Sequence, residues 1–268
     1  MRRAHLPVRL TMLATALLVC GVGQTGTGAL LGHWPLDEGS GTTTADVTGN
    51  HSPAAISGAS WVNDPERGAV LGFDGTDDVV EAGDSVIPQM TTSNDFTWTL
   101  WVNSGRNAGD DPQKNAVILG NRYAPSGTES DWTPREFIKF TPGDFEFHRD
   151  GAGDDLDYAD LTVGEWHHHA VSKDGNVLTY YRDGVESGTH TITAGLDHAQ
   201  PLYFGGDAHA GNNENEFFDG RLDDIRIFDH ALSQAEVRAV IPEPSVLAVL
   251  FTSLGLLSLS ARRSRRAR

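Results

Sequence analysis

Cysteine is almost missing from this chain of 268 residues: the one copy is Cys20, close to the start. Arg2, Arg3 and Arg9 precede the apolar stretch Leu10 to Val22, and small residues follow through Gly26, Thr27, Gly28 and Ala29. A charged n-region, a short apolar core and a small-residue zone mark residues 1–29 as a secretory signal peptide, cut near Ala29. The apolar run is short for an N-terminal membrane anchor. A lipoprotein signal wants Gly, Ala or Ser before its cysteine, and Val19 stands there. The exported chain then carries no thiol, which excludes a disulfide framework, a thiol nucleophile and a cysteine-held metal. Its stability has to come from an apolar core, with a bound ion as a second source.

Positive charge is scarce as well. The chain has 20 basic and 37 acidic residues; three arginines lie in the signal and five in residues 262–268. Residues 30–261 keep 12 basic residues against all 37 acids, a net charge of −25. Such a surface repels nucleic acid and anionic membranes. It suits a salty medium or divalent cations, although acidity also serves solubility alone.

Long hydrophobic runs are lacking everywhere except at the two ends. At the far end Pro242-Glu243-Pro244 is followed by the charge-free run Val246 to Ala261, then by Arg262, Arg263, Arg265, Arg266 and Arg268. The run is marginal for spanning a bilayer, and the arginines would hold its end on the cytoplasmic side. Triplet, apolar helix and basic terminus resemble the PEP-CTERM sorting tail of exported bacterial proteins. The resemblance implies that residues 241–268 are a sorting segment, with its motif at 242–244, its helix at 246–261 and its basic terminus at 262–268. It also implies transient inner-membrane attachment, processing near Pro242 to Pro244 by an exosortase-like enzyme after signal peptidase has acted, and delivery to the cell surface.

Residues 30–240 read as one all-β domain. Short runs alternate apolar and polar residues: Phe96 to Val102, Ala116 to Leu119, Glu136 to Phe140, Phe145 to His148, Trp166 to Val171, Val177 to Tyr181, Leu202 to Phe204 and Gly220 to Phe228. Period-two alternation rich in aromatic and β-branched residues predicts antiparallel strands. The pairs Asp74-Gly75, Asp174-Gly175 and Asp183-Gly184 predict hairpin turns. Residues 103–113 and 124–133 are polar, carry Gly or Pro and read as loops. One helix is predicted, Ser233 to Val240, with Ser233 as N-cap and Glu236 closing a capping box. No βαβ rhythm, internal repeat or coiled-coil pattern is present, so a two-sheet antiparallel sandwich or jelly roll follows.

The order of the motifs is distinctive. His33-Trp34-Pro35-Leu36-Asp37-Glu38 leads to Gly41, Asp46, Gly49 and Asn50, then to Val70 through Gly75 and Asp77-Asp78-Val79-Val80. After Phe96 to Val102 come Trp166 to Val171, Tyr181-Arg182-Asp183-Gly184, Gly220 to Phe228 and Ala231 to Val237. In order and spacing residues 31–239 resemble the LamG-like jelly roll of the concanavalin A-like lectin/glucanase superfamily. Such domains are mostly binding or adhesion modules, and a minority of the superfamily are glycoside hydrolases. Retaining hydrolysis needs two carboxylates across the sugar, which the laminarinase-like branch supplies as Glu-x-Asp-x-x-Glu. That motif is missing. The nearest groups are Asp144-Phe145-Glu146, on one strand face without a third carboxylate, and Asp154-Asp155-Leu156-Asp157, placed in a Gly-Asp turn; each is read as a solvated strand edge or turn. The chain is therefore read as non-catalytic.

Three site expectations follow. The resemblance implies a structural calcium ion tying the first and last strands, with Asp46 and Asn50 as early ligands and Asp223 as a late one. Ordinary turn chemistry is the alternative, with Asp46 and Asn50 capping loop backbone and Asp223 paired with Arg221 or Arg226. For sugar, Trp132 is the stacking candidate beside Asp131, Tyr123 and Arg122. The cluster Asp207, His209, Asn212, Asn213 and Glu214 forms a second polar loop. Trp34, Trp98, Trp101 and Trp166 fall in strand motifs and are read as core; Trp61 is undecided. His167-His168-His169 places His167 and His169 on one strand face and His168 on the other, so at most two could meet one ion. His168 fits a family histidine and is read as structural. The leading function is binding of extracellular polysaccharide or glycoconjugate at the cell surface. A surface structural or adhesion protein that binds protein partners is the first rival, and a divergent polysaccharide hydrolase or lyase the second.

Overall fold

The computed structural model describes residues 28–86, 94–107, 116–120, 137–141, 144–149, 152–157, 162–191, 201–206 and 217–241. Two antiparallel sheets of eight strands each face one another. The first runs β14 (Val185–Thr191), β13 (Val177–Arg182), β12 (Trp166–Asp174), β7 (Phe96–Ser104), β16 (Asp219–Phe228), β5 (Gly68–Asp74) and β4 (Ser60–Asp64), with β1 (Leu30–Trp34) also on β16. The second runs β11 (Ala152–Asp157), β10 (Asp144–Arg149), β9 (Phe137–Thr141), β8 (Val117–Gly120), β15 (Pro201–Phe204), β6 (Val79–Val86), β3 (Ala54–Ser57) and β2 (Thr43–Thr44). The expected sandwich is present.

Alternation along β7 sets the layers. Phe96, Trp98, Leu100 and Val102 point inward with Leu71, Leu222, Ile225 and Ile227, and β15 and β6 answer with Leu202, Phe204, Val80 and Ala82. Trp34 crosses the gap edge-on to Phe204, ring centroids 5.3 Å apart. Each such side chain stabilises the fold by about 1.5–3 kcal/mol relative to exposure.

Part of the outer face of the first sheet is buried too. The expected helix forms as α1 (Gln234–Val240), and Ser233 and Glu236 complete the capping box. Seven residues cannot hold a helix alone in water. Val237 and Leu232 pack with Ala170, Tyr181 and Phe228 in a second apolar cluster, which Leu30 and Val240 border. Gln234 Nε2 and Arg238 Nε both donate to the Gly184 carbonyl, at 3.1 and 2.7 Å. Asp183 and Gly184 have φ of 51° and 71°, a primed two-residue hairpin turn. A Cβ on Gly184 would lie 2.7 Å from Arg238 Cγ, so glycine lets the helix close on the turn.

One expectation about chain path changes. Asp74-Gly75 does not close a hairpin: β5 and β6 belong to different sheets, and the turn carries the chain between them. Asp154 to Asp157 is edge strand β11, paired with β10, so of the two readings, strand edge or turn, the strand edge holds.

β16 organises the site. Its first half pairs with β5 and its second with β1, and a bulge lies between Asp223 and Arg226. Asp224 sits there at φ 52°, a conformation that Asp tolerates better than most residues. The bulge turns consecutive carboxylates onto the outer face.

Candidate functional site: a cleft at the rim of the sandwich

A cleft of about 510 Å³ opens where β5, β7 and β16 meet at one end of the first sheet. Its walls include Asp74, Asp78, Asn103, Ser104, Asp219 and Arg221, and the 163–164 turn flanks it. Gly220, at φ 152°, lies on its floor, and a Cβ there would collide with the Asn103 carbonyl. Backbone therefore forms part of the surface.

The Asp74–Asp78 turn folds around its own carboxylates. Asp74 Oδ1 accepts from Thr76 N and Asp78 Oδ2 accepts from Asp74 N, both at 2.8 Å. Asp74, Asp77 and Asp78 each bring an oxygen within 4.8 Å of the others, Asp78 buried and the other two exposed. Burial, with the neighbouring Asp74 and Asp77 charges, pushes the Asp78 carboxyl up from its ordinary value against the backbone hydrogen bond that lowers it. This acidic triad could hold a metal ion; three clustered hard oxygen ligands suit a cation such as calcium.

Arginines near the cleft are matched. Arg221 Nη1 donates to Asp64 Oδ2 at 2.6 Å, and Arg106 pairs with Asp219. Asp64 Oδ1 also accepts from Glu66 N and Arg67 N, fixing the β4–β5 turn. From that turn Arg67 reaches over the outer face, its guanidinium 4.1 Å from the Trp101 ring centre and its Nε 2.5 Å from Asp223 Oδ2. Burial pushes the Asp223 carboxyl up to about 7 although the Arg67 charge lowers it. Asp224 instead stays low, because His33 and Arg226 together outweigh its burial.

The residues expected to hold calcium behave differently. Asp46 is 7% exposed and accepts from the backbone of His33, Thr48, Asn50 and His51 and from the Thr48 hydroxyl. Burial raises its carboxyl, but those hydrogen bonds outweigh it and hold it low. Asn50 Nδ2 donates to the Leu31 carbonyl at 3.0 Å. Both are loop caps, as the turn-chemistry alternative has it. Asp223 is engaged by Arg67 rather than by Arg221 or Arg226. Carboxylates so committed fit a cation poorly, and the Asp74–Asp78 turn fits better.

Trp132, Asp131, Tyr123, Asp207, Asn212, Asn213, Pro242, Glu243 and Pro244 lie outside the described residues. Of the tryptophans, Trp34 and Trp98 are core at 0% exposure. Trp101 and Trp166 are half-buried on the outer face beneath Arg67, a correction to the core reading. Trp61 packs against the core and donates to the Gly41 carbonyl at 2.9 Å. His167 and His169 share a face, rings 6.3 Å apart, and His167 lies between Asp183 and Arg182. Burial holds the His168 imidazole down to about 4, and its ring meets Trp101 edge-on. Among the described residues no group of three metal-ligating side chains includes these histidines.

Asn103 and the Asp74–Asp78 carboxylates are what sequence reasoning missed. Acids at Asp74, Asp77 and Asp78 were visible, but were read as turn and strand motif.

Residues 74–238 match the family model described as the concanavalin A-like lectin/glucanases superfamily. The chain belongs to that superfamily. Among solved structures it is similar to domain 4 of AbnA, an extracellular arabinanase from Geobacillus stearothermophilus, in complex with arabinotriose. The TM-score is 0.58 at 18% identity, over 80% of this chain and 99% of that one. It is also similar to the binding domain of Paraclostridial Mosquitocidal Protein 1 (TM-score 0.60, 18% identity, 79% of this chain, 51% of that one). A third is a Trypanosoma rangeli sialidase in complex with sialic acid (0.58, 16%, 84% and 35%). The chain thus spans about half and a third of the last two. No curated protein matches it in sequence.

Proposed function

We propose that this protein is an exported, non-catalytic module that binds extracellular polysaccharide or glycoconjugate at the cell surface, with the rim cleft as its seat. The observation that carries the reading is the cleft itself: a concave, partly backbone-lined surface with carboxylate, amide and hydroxyl groups converging on it. The arabinotriose-bearing domain covered almost end to end supports it, as does a sequence without the laminarinase-like carboxylate motif. The signal peptide and sorting tail supply the address, with signal peptidase and an exosortase-like enzyme as partners; residues 1–27 and 242–268 of these segments lie outside the described residues. Among the described residues no helix is long and apolar enough to cross a membrane. Calcium joins the reading as a structural ion at the Asp74–Asp78 turn. A calcium-dependent rise in melting temperature that Asp74→Asn with Asp77→Asn removes assigns it there.

A glycan array on the full chain tests the reading. Retention of a polysaccharide is expected, weakened by Trp132→Ala if residues 124–133 reach the ligand; an array with no signal, beside capture of a defined surface protein, favours the adhesion alternative. One observation keeps the hydrolase or lyase in view. The β10–β11 register sets Asp144 opposite Asp157 and Glu146 opposite Asp155. Turnover of laminarin or alginate that Glu146→Gln abolishes would establish it.

A further inference from the structure

We propose that the rim cleft takes an uncharged, hydroxyl-rich oligosaccharide and rejects acidic ones, with Asn103 reading a sugar hydroxyl at its wall. The inference rests on the reading of the cleft as a polysaccharide seat and narrows the ligand class.

Asn103 carries the first half. It is 7% exposed, lines the cleft, and its side-chain amide has no hydrogen-bond partner among the described residues. A side chain so buried ordinarily has its hydrogen bonds satisfied. The amide offers two donors and one acceptor, and a hydroxyl matches both because it donates and accepts; an ionised carboxylate or sulfate only accepts.

Charge carries the second half. Asp74, Asp77 and Asp78 have no cationic partner among the described residues. Arg221, the one cation among the described residues of the cleft wall, is already held by Asp64, and Arg106 beside the cleft by Asp219. An acidic sugar entering here meets like charge in a partly desolvated concavity and finds its counter-charges committed. Hydroxyl donors find acceptors instead. The net charge of −25 over residues 30–261 acts in the same direction at long range.

The test immobilises the full chain and measures retention of laminarin and arabinan, both uncharged, against alginate and polygalacturonate, both acidic. Each is run in chelator, so that no calcium neutralises the Asp74–Asp78 carboxylates. The uncharged polymers should bind, and the acidic ones at least about tenfold more weakly, the scale of one uncompensated charge contact. Asn103→Ala should weaken laminarin or arabinan binding about tenfold, the loss of one buried hydrogen bond. Asp74→Asn with Asp77→Asn should narrow the ratio between uncharged and acidic polymers. Should Asn103→Ala fail to fold by circular dichroism, Asn103→Asp keeps the shape, and it should weaken uncharged binding and acidic binding further still. Alginate held as tightly as laminarin overturns this inference alone, and so does binding indifferent to both Asn103 variants. Failure of all four polymers to bind overturns the polysaccharide seat itself.

Discussion

Asp223→Asn is the substitution with the most calculable consequence. The native fold holds this carboxyl at about 7, above the 3.8 of an unburied aspartate, because burial outweighs the Arg67 charge. A folded value above the unfolded one means that the native state keeps a proton the unfolded chain releases. The stability from this proton is complete below about pH 4 and is lost as pH rises through 7. The gap between about 7 and 3.8 converts to on the order of 4 kcal/mol. For a domain of this size that is roughly 10 °C of melting temperature. Asparagine keeps the shape and removes the titration. Both proteins would be melted from pH 4 to pH 8 in chelator, so that no cation contributes, and the difference between them plotted. His168 works in the opposite direction. Burial holds it near 4, so its neutral form stabilises the fold above the unfolded value of 6.5, and this is lost as pH falls through 4. Taking the difference between the two proteins cancels that contribution. Variant minus wild type should rise by roughly 10 °C between pH 4 and pH 8. A flat or falling difference would refute the argument that burial, rather than the arginine, sets this carboxyl.

Other expectations are simpler. Ser233→Ala removes the N-cap and one arm of the capping box of α1, and should cost about 1 kcal/mol by chemical denaturation. Leu232→Ala opens a cavity in the second apolar cluster and should cost about 2–5 kcal/mol, loosening α1 before the main core in hydrogen exchange. Gly220→Ala drives a Cβ onto the Asn103 carbonyl at a backbone angle that suits glycine; about 1–3 kcal/mol should be lost in thermal melts, together with glycan retention.

The sandwich was legible because FTWTLWV and its companions alternate, and alternation is what a sheet with two different faces requires. The same rule, pressed further, would have corrected the tryptophans. Trp98 and Trp101 are three apart on β7, an odd spacing, so they cannot share a face. Trp98 is core, and Trp101 lies outside it beneath Arg67. The polar residues after Asn103 read as a loop, yet β7 runs on to Ser104 and places Asn103 in the cleft wall. Asp74-Gly75 has hairpin chemistry, but a turn does not say which sheet the next strand will join. Arg67 and Asp223 are 156 residues apart. No local pattern announces such a pair; only the closed sheet brings them together.

Leu30 and Val240 border one apolar cluster. The two leads of the domain therefore emerge side by side, beyond the Phe228 end of β16, while the cleft lies at its Asp219 end, roughly 30 Å away for ten strand residues. A domain wired this way behaves as a plug-in cassette. It can be spliced into a surface loop of another protein without prising that loop apart, and the cleft will still face outward. Joining the leads with a short linker and reopening the chain at the exposed Asp174-Gly175 turn should give a circular permutant with the same cleft.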